Sequence, residues 1–183
     1  MPGDHTVSDP TTTAAPDAFV AAMRAVAASV SVVTTDGPAG RHGTTVTAFA
    51  SVSADPPTVL VCLHADSRGA ALVAENQQFC LNVLPKDGQA VADRFAGRHP
   101  EFEQDRFAGI DWHAAPGQPP RLDGATVFVC KVDQALQAGS HAVFFGRVAE
   151  VDHQGLDPLT YRDGAYHQVV PHIIPMDRKK AQS

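Results

Sequence analysis

The chain is 183 residues long, enough for one globular domain and too short for two comfortable ones. With 44% hydrophobic and 19% charged residues it can bury a core, which excludes disorder of the whole chain. A formal net charge of -6, from 20 acidic against 14 basic residues with no long basic run, excludes the electrostatic footprint of a nucleic-acid binder or of a protein drawn to an anionic membrane.

Met1 to Pro16 is rich in Thr, Ala, Asp and Pro. It lacks the apolar stretch of a secretory signal and reads as a polar arm ahead of a single domain spanning 17–170, with 171–183 as a tail. Phe19, Val20, Met23, Val26, Ala27 and Val30 recur at helical spacing, with Asp17 supplying negative charge where a helix begins. Ser31 to Thr35 turns β-branched, and after the Asp36–Gly40 turn a second strand-like run, Arg41 to Phe49, completes a hairpin. Asp55-Pro56-Pro57 interrupts any sheet ladder. Thr58 to His64 is a short apolar run of the kind found in central strands. Ser67 is placed to cap a helix reaching Asn76, Gln78 to Leu84 is a further strand, and Lys86 to Phe95 a short helix.

His99 to Gly124 is polar, proline-rich and holds the single tryptophan, Trp112; a loop of that length in a compact domain is often a lid or a binding loop. Two long strands, Ala125 to Gln137 and His141 to Asp152, flank the Ala138-Gly139-Ser140 turn. A last element from Leu159 to Val170 carries Tyr161 and Tyr166. Short strands in pairs, separated by turn residues and few helices, predict a mainly β antiparallel barrel or sandwich rather than a doubly wound parallel sheet.

Several chemistries lack their motifs. There is no glycine-rich dinucleotide fingerprint after a strand, no phosphate-binding P-loop and no nucleophile elbow. The nine histidines show none of the close pairings next to thiol or carboxylate that mark a metal site, so no metal is expected. Cys62, Cys80 and Cys130 are odd in number, far apart and set in apolar runs, which fits buried, reduced thiols in a cytoplasmic protein.

The strongest local signal is Gly43-x-Thr45-x-Thr47-Ala48-Phe49-x-Ser51-Val52-Ser53-x-x-Pro56-Pro57. Read alone, it is either a hydroxyl-rich edge strand or a strand whose hydroxyls and amides meet a flat heterocycle, and spacing does not choose between them. The order of the motifs after it does: Ser67-Arg68, then Phe79-x-Leu81-Asn82-Val83-Leu84, then Arg94-Phe95-Ala96, then Gly139-x-His141-x-x-Phe144-x-Gly146-x-Val148, then Asp157-Pro158-Leu159 and Gly164-x-Tyr166-His167. From about Phe19 to Gln168 this set resembles the flavin reductase-like family, the small reductase components of two-component flavin-dependent monooxygenases.

The resemblance implies a split β-barrel of the FMN-binding type, usually a homodimer. It also implies reduction of FMN or FAD by NADH or NADPH, with reduced flavin passed to a partner monooxygenase. Carried over by position, Thr45, Val46, Thr47 and Ala48 would line the isoalloxazine edge, with Ser51 and Ser53 on the continuation of that segment. Ser67 and Arg68 would meet the flavin phosphate, a role that suits a helix N-terminus with an added guanidinium. Asn82 and Phe95 would approach the flavin. His141 would be the catalytic or orienting residue near the flavin and nicotinamide rings, next to Ser140 where the family has Asp. Tyr166 and Tyr161 would cover the nicotinamide. Two other readings share the fold: an enzyme that retains its flavin and acts on an organic substrate, and a non-catalytic flavin- or heme-binding module.

Overall fold

The computed structural model describes residues 13–172; the polar arm before residue 13 and the tail beyond residue 172 lie outside the described residues. Helix α1 (Pro16–Arg24) starts on a proline, whose fixed φ suits a first helical turn, and carries Asp17 there. It ends at Arg24, earlier than its apolar periodicity predicts, with a turn after it that leads into β1. β1 (Ala28–Ser29) pairs with β11 (Leu159–Arg162), and Val30 is buried in the core. β11 in turn pairs with β12 (Ala165–Gln168), so the last element is a hairpin.

The main sheet has seven strands: β2 (Ser31–Thr35), β3 (His42–Val46), β4 (Phe49–Ala54), β5 (Pro57–His64), β6 (Gln78–Val83), β9 (Thr126–Ala138) and β10 (His141–Asp152). They are ordered β3-β2-β6-β9-β10-β5-β4, and every pairing is antiparallel. The Arg41–Phe49 run is therefore two strands, not one. β3 and β4 occupy opposite edges of the sheet, yet only Thr47 and Ala48 join them. The three steps from Val46 to Phe49 span at most about 11 Å, far less than the width of seven strands, so the sheet must curl to bring those ends together. The amide of Cys62 on β5 donates to the Ala48 carbonyl at 2.9 Å, carrying the β4–β5 ladder one step into that connection.

Period-2 alternation on the central strands sorts side chains to two faces. One face gathers Val32, Cys80, Val127 and Val129 with Phe95 of α3 (Gln89–Phe95), and with Phe107 and Leu122 of the long loop. The other gathers Val33, Val46, Val61, Phe79, Leu81 and Phe144 with Ala70 and Val73 of α2 (Arg68–Asn76). Both helices keep the predicted places.

The 99–124 segment contains a single 3-10 turn at Pro100–Phe102 and two short paired strands, β7 (Trp112–His113) and β8 (Arg121–Leu122). Its second half is fastened rather than free. The buried Asn82 carboxamide oxygen accepts from the Leu122 amide at 2.8 Å, Gln78 Nε2 donates to the Gly117 carbonyl at 2.7 Å, and the buried Thr34 hydroxyl donates to the Pro120 carbonyl. No helix among the described residues is long and apolar enough to cross a membrane.

The C-terminal hairpin is tied to α3 by one polar triad. The Tyr166 hydroxyl donates to Asp93 Oδ1 at 2.7 Å, and Arg98 Nη1 reaches the same oxygen at 2.7 Å. Burial, then the bond to Asp93, pushes the Tyr166 phenol up to about 12. Replacing Tyr166 by Phe is expected to cost roughly 1 kcal/mol of stability, read as a shift in denaturant midpoint. Asp93→Asn should cost more than Tyr166→Phe, because it removes the pairing with Arg98 as well as the bond from Tyr166.

Candidate functional site

The hydroxyl-rich segment runs between two concavities. At its start, Arg41, His42, Gly43 and Thr44 form one wall of a cavity of about 650 Å³. The opposite walls come from Ser67, Arg68 and Gly69 at the beginning of α2 and from Glu103 to Phe107 of the long loop. At its end, Thr47 and Ala48 border a groove of about 450 Å³, whose other wall is Phe19, Val20 and Met23 of α1, Val26 just after it, and Tyr161 to Gly164 of the C-terminal hairpin.

The cavity lining carries three arginines, Arg41, Arg68 and Arg106, against two acidic residues, Glu103 and Asp105. Ser67 caps α2, its Oγ accepting from the Ala70 amide at 3.1 Å. The helix start therefore presents first-turn amides and the positive end of the dipole. Arg68 stands on that first turn, exposed, and Arg41 flanks it across the cavity. Arg106 is held by its backbone neighbours: one guanidinium nitrogen donates to the Phe95 carbonyl at 2.9 Å and to the Gly43 carbonyl at 3.3 Å.

His42 lies flat against the start of α2, its ring so close to Gly69 that a β-carbon there would sit 3.3 Å from Cδ2. Burial, then the charges of Arg106 and Arg68, lower its pKa from 6.5 to about 4. A histidine that resists protonation in the folded state withdraws stability in acid. Its contribution is complete above about pH 6.5 and disappears as pH falls through about 4. The urea midpoint of the wild type is expected to fall across that window more steeply than that of a His42→Gln variant.

The structure brings some of the residues expected at a ligand site together and sets others apart. Thr47 and Ala48 are exposed on the groove, and Ser67 and Arg68 on the cavity. Thr45 lies between them, its hydroxyl donating to the Ala92 carbonyl of α3 at 2.7 Å, while Val46 is buried in the core. Ser51 and Ser53 are exposed on β4; the Ser53 hydroxyl serves the β4–β5 turn, donating to the Asp55 carbonyl at 2.9 Å. Tyr161 borders the groove, and Tyr166 stacks edge-on against it at 5.4 Å.

Asn82 and Phe95 have no solvent exposure at all. Asn82 Nδ2 donates to the Val32 carbonyl and to the Thr34 hydroxyl, and Phe95 packs edge-on against Phe107 at 5.0 Å. Phe95 thus packs beneath Gly43 of the cavity wall, and Asn82 ties β2, β6 and β8 together. His141 opens β10 directly opposite His64 on β5, with ring centroids 5.6 Å apart, and Ser140 Oγ lies 3.0 Å from its Nδ1. The pair lies by the loop into α2, where the Ser67 amide donates to the His64 carbonyl at 2.9 Å.

Arg41, His42 and Arg106 are cavity residues that sequence reading does not single out. Arg106 sits in the featureless loop, and its carbonyl partner on Gly43 is 63 residues away. The buried cysteines take no part: burial pushes the Cys80 and Cys130 thiols up, Cys130 to about 12, so neither is a nucleophile at neutral pH.

A cavity with three arginines in its lining thus stands at one end of the hydroxyl-rich segment, and a groove bordered by apolar side chains at the other. Residues 23–170 match the family described as flavin reductase like domain. The FMN reductase (NADH) RutF of Pseudomonas syringae pv. syringae is 40% identical over 154 residues, covering 83% of this chain and 85% of that protein. Among solved structures, the flavin reductase PheA2 in its native state superposes with a TM-score of 0.77 at 28% identity, over 86% of this chain and all of that one. BorF, the flavin reductase component of a bacterial two-component tryptophan halogenase, superposes with a TM-score of 0.75 at 31% identity, over 85% of this chain and 99% of that one. The chain belongs to the flavin reductase-like family and is an oxidoreductase of the flavin reductase class.

Proposed function

We propose that the protein is an NADH:FMN oxidoreductase of split-barrel architecture that releases reduced flavin to a separate oxygenase. The observation that carries this reading is the cavity and groove laid end to end along one strand. From Thr44 to Thr47 is about 10 Å of extended chain, a span suited to the sugar-alcohol arm between a flavin ring and its phosphate. Ser67, Arg68 and the first turn of α2 would hold the phosphate. Thr45 to Ala48 would present backbone groups to the ring edge.

When bound, the flavin and nicotinamide supply the chemistry, a hydride passing from nicotinamide C4 to flavin N5. The chain's contribution is to hold, orient and exclude. His141, oriented by Ser140, is the residue we assign to orienting the nicotinamide; Tyr161 and Tyr166 would close that side. Ser140 stands where the family has Asp, and its Oγ lies 3.0 Å from the Nδ1 of His141.

FMN and NADH are favoured over FAD and NADPH by the name of the Pseudomonas relative, and a partner oxygenase by the two-component system to which BorF belongs. A homodimer is supported by apolar surface on α1, where Phe19 and Met23 are at least half exposed beside the groove, and by β4, exposed almost throughout on an edge of the sheet.

Nicotinamide oxidation by purified protein, with NADH or NADPH and with or without added FMN or FAD, tests the reading. Steady turnover only with added flavin, fastest with FMN and NADH, is expected. Yellow protein that keeps its flavin through gel filtration and turns over without added flavin would instead establish a flavin-retaining enzyme. Flavin binding without any turnover would establish a binding module.

A further inference from the structure

We propose that His42 is a specificity-determining contact to the flavin phosphate. It would enter that contact as the imidazolium, so that FMN, and not riboflavin, binds with uptake of a proton. The inference rests on the reading that the phosphate occupies the cavity at the start of α2.

Charge balance in the cavity leads to it. Three arginines line the space, Arg41 just ahead of β3, Arg68 on α2 and Arg106 on the long loop. Two carboxylates share it, Glu103 and Asp105, both from the loop. Asp105 turns one oxygen back on its own loop, accepting from the Phe107 amide at 3.0 Å. With His42 neutral these groups sum to one positive charge. A phosphate monoester near neutral pH carries about two negative charges. One added proton on His42 would match the cavity to its ligand.

Position makes His42 the group to take that proton. Among the described residues it is the one imidazole on the cavity wall, next in sequence to Arg41, and its ring rests on Gly69 in the first turn of α2, close to the amides that would meet the phosphate. Without an anion, its neutral state has plain causes in partial burial and the neighbouring Arg106 and Arg68 charges, and its pKa is lowered to about 4. A dianion placed among those guanidiniums cancels the repulsion and offers the imidazolium an acceptor. Riboflavin, identical in its ring and lacking the phosphate, supplies neither effect.

The test compares FMN and riboflavin affinities by fluorescence titration from about pH 7.5 to about pH 5.5, in the wild type and in His42→Gln. The proton count is read by calorimetry in buffers of different ionisation enthalpy. The FMN-to-riboflavin affinity ratio of the wild type is expected to rise about tenfold relative to that of the variant as pH falls across this range. Riboflavin affinity should be the same in both proteins. The phosphate itself loses its second proton near pH 6, and the variant reports that opposing contribution alone, so the difference between the proteins isolates His42.

A wild-type ratio that tracks the variant's would overturn the role of His42 while leaving the phosphate cavity standing. FMN bound no more tightly than riboflavin at any pH would overturn the cavity reading itself. Should His42→Gln fail to fold, the ring resonances of His42 in the wild type decide the matter. Their titration midpoint must rise when FMN or inorganic phosphate is added, and an unmoved midpoint refutes the proposal.

Discussion

Replacing Arg68 by Ala is expected to weaken FMN binding about tenfold or more and to leave riboflavin binding unchanged. The size follows from the contact. A hydrogen bond to a charged group contributes about 1.5–3 kcal/mol, and each 1.4 kcal/mol is a factor of ten in affinity. Arg68 is exposed on the cavity rim and takes part in no core packing, so the variant should fold as the wild type does. The guanidinium would hold the phosphate alike in the ground state and in the transition state. Its removal should therefore raise KM for FMN and leave kcat at saturating FMN nearly untouched. Arg68→Lys should recover part of the loss, since a point charge replaces the fork without its paired donors. Equal FMN affinity in wild type and Arg68→Ala would move the phosphate out of this cavity.

How much of this site is legible in the sequence depends on the range of the interactions involved. Ser67 and the helix it caps are legible because capping is local: the Oγ reaches an amide three residues on. The paired strands around Asp36–Gly40 and around Gly139 are legible for the same reason. Thr47 and Ala48 stand out in the family motif, but their part in the fold does not. They join two opposite edges of the sheet, and nothing in a linear pattern announces that a curling sheet will bring β3 and β4 together there.

Arg106 lies at the far limit. Its backbone partners belong to α3 and β3, and in sequence it is one charge in a loop without periodicity. Asn82 is the converse case. The family order points to it, but its carboxamide is consumed in joining β2, β6 and β8 beneath the surface. A motif reports that a residue type is needed at a position, and only packing tells whether the need is a ligand or the fold.

Gly43 is where those two needs coincide, and replacing it by Ala is expected to lower both stability and FMN affinity. A β-carbon at Gly43 would lie 2.5 Å from Cε1 and 2.6 Å from Cδ1 of Phe95, with Phe107 Cζ at 3.3 Å. Real contacts of that kind are not that short, so either the ring or the strand must move. Phe95 has no room to yield: it is fully buried and held edge-on by Phe107, which is itself buried beneath Arg41.

Overpacking a filled core costs about 1–3 kcal/mol, which for a domain of this size lowers the melting temperature by roughly 3–10 °C. If the strand moves instead, the Gly43 carbonyl leaves Arg106, and the guanidinium loses one of the two carbonyls that aim it into the cavity. Thermal melts and FMN titrations of Gly43→Ala separate these responses, and Phe95→Leu in the same chain removes the colliding ring atoms. Recovery of stability and affinity together in the double variant would show that the small residue at the head of the hydroxyl-rich segment serves the ring below it. Recovery of stability without affinity would show that the strand backbone at Gly43 must itself approach the ligand.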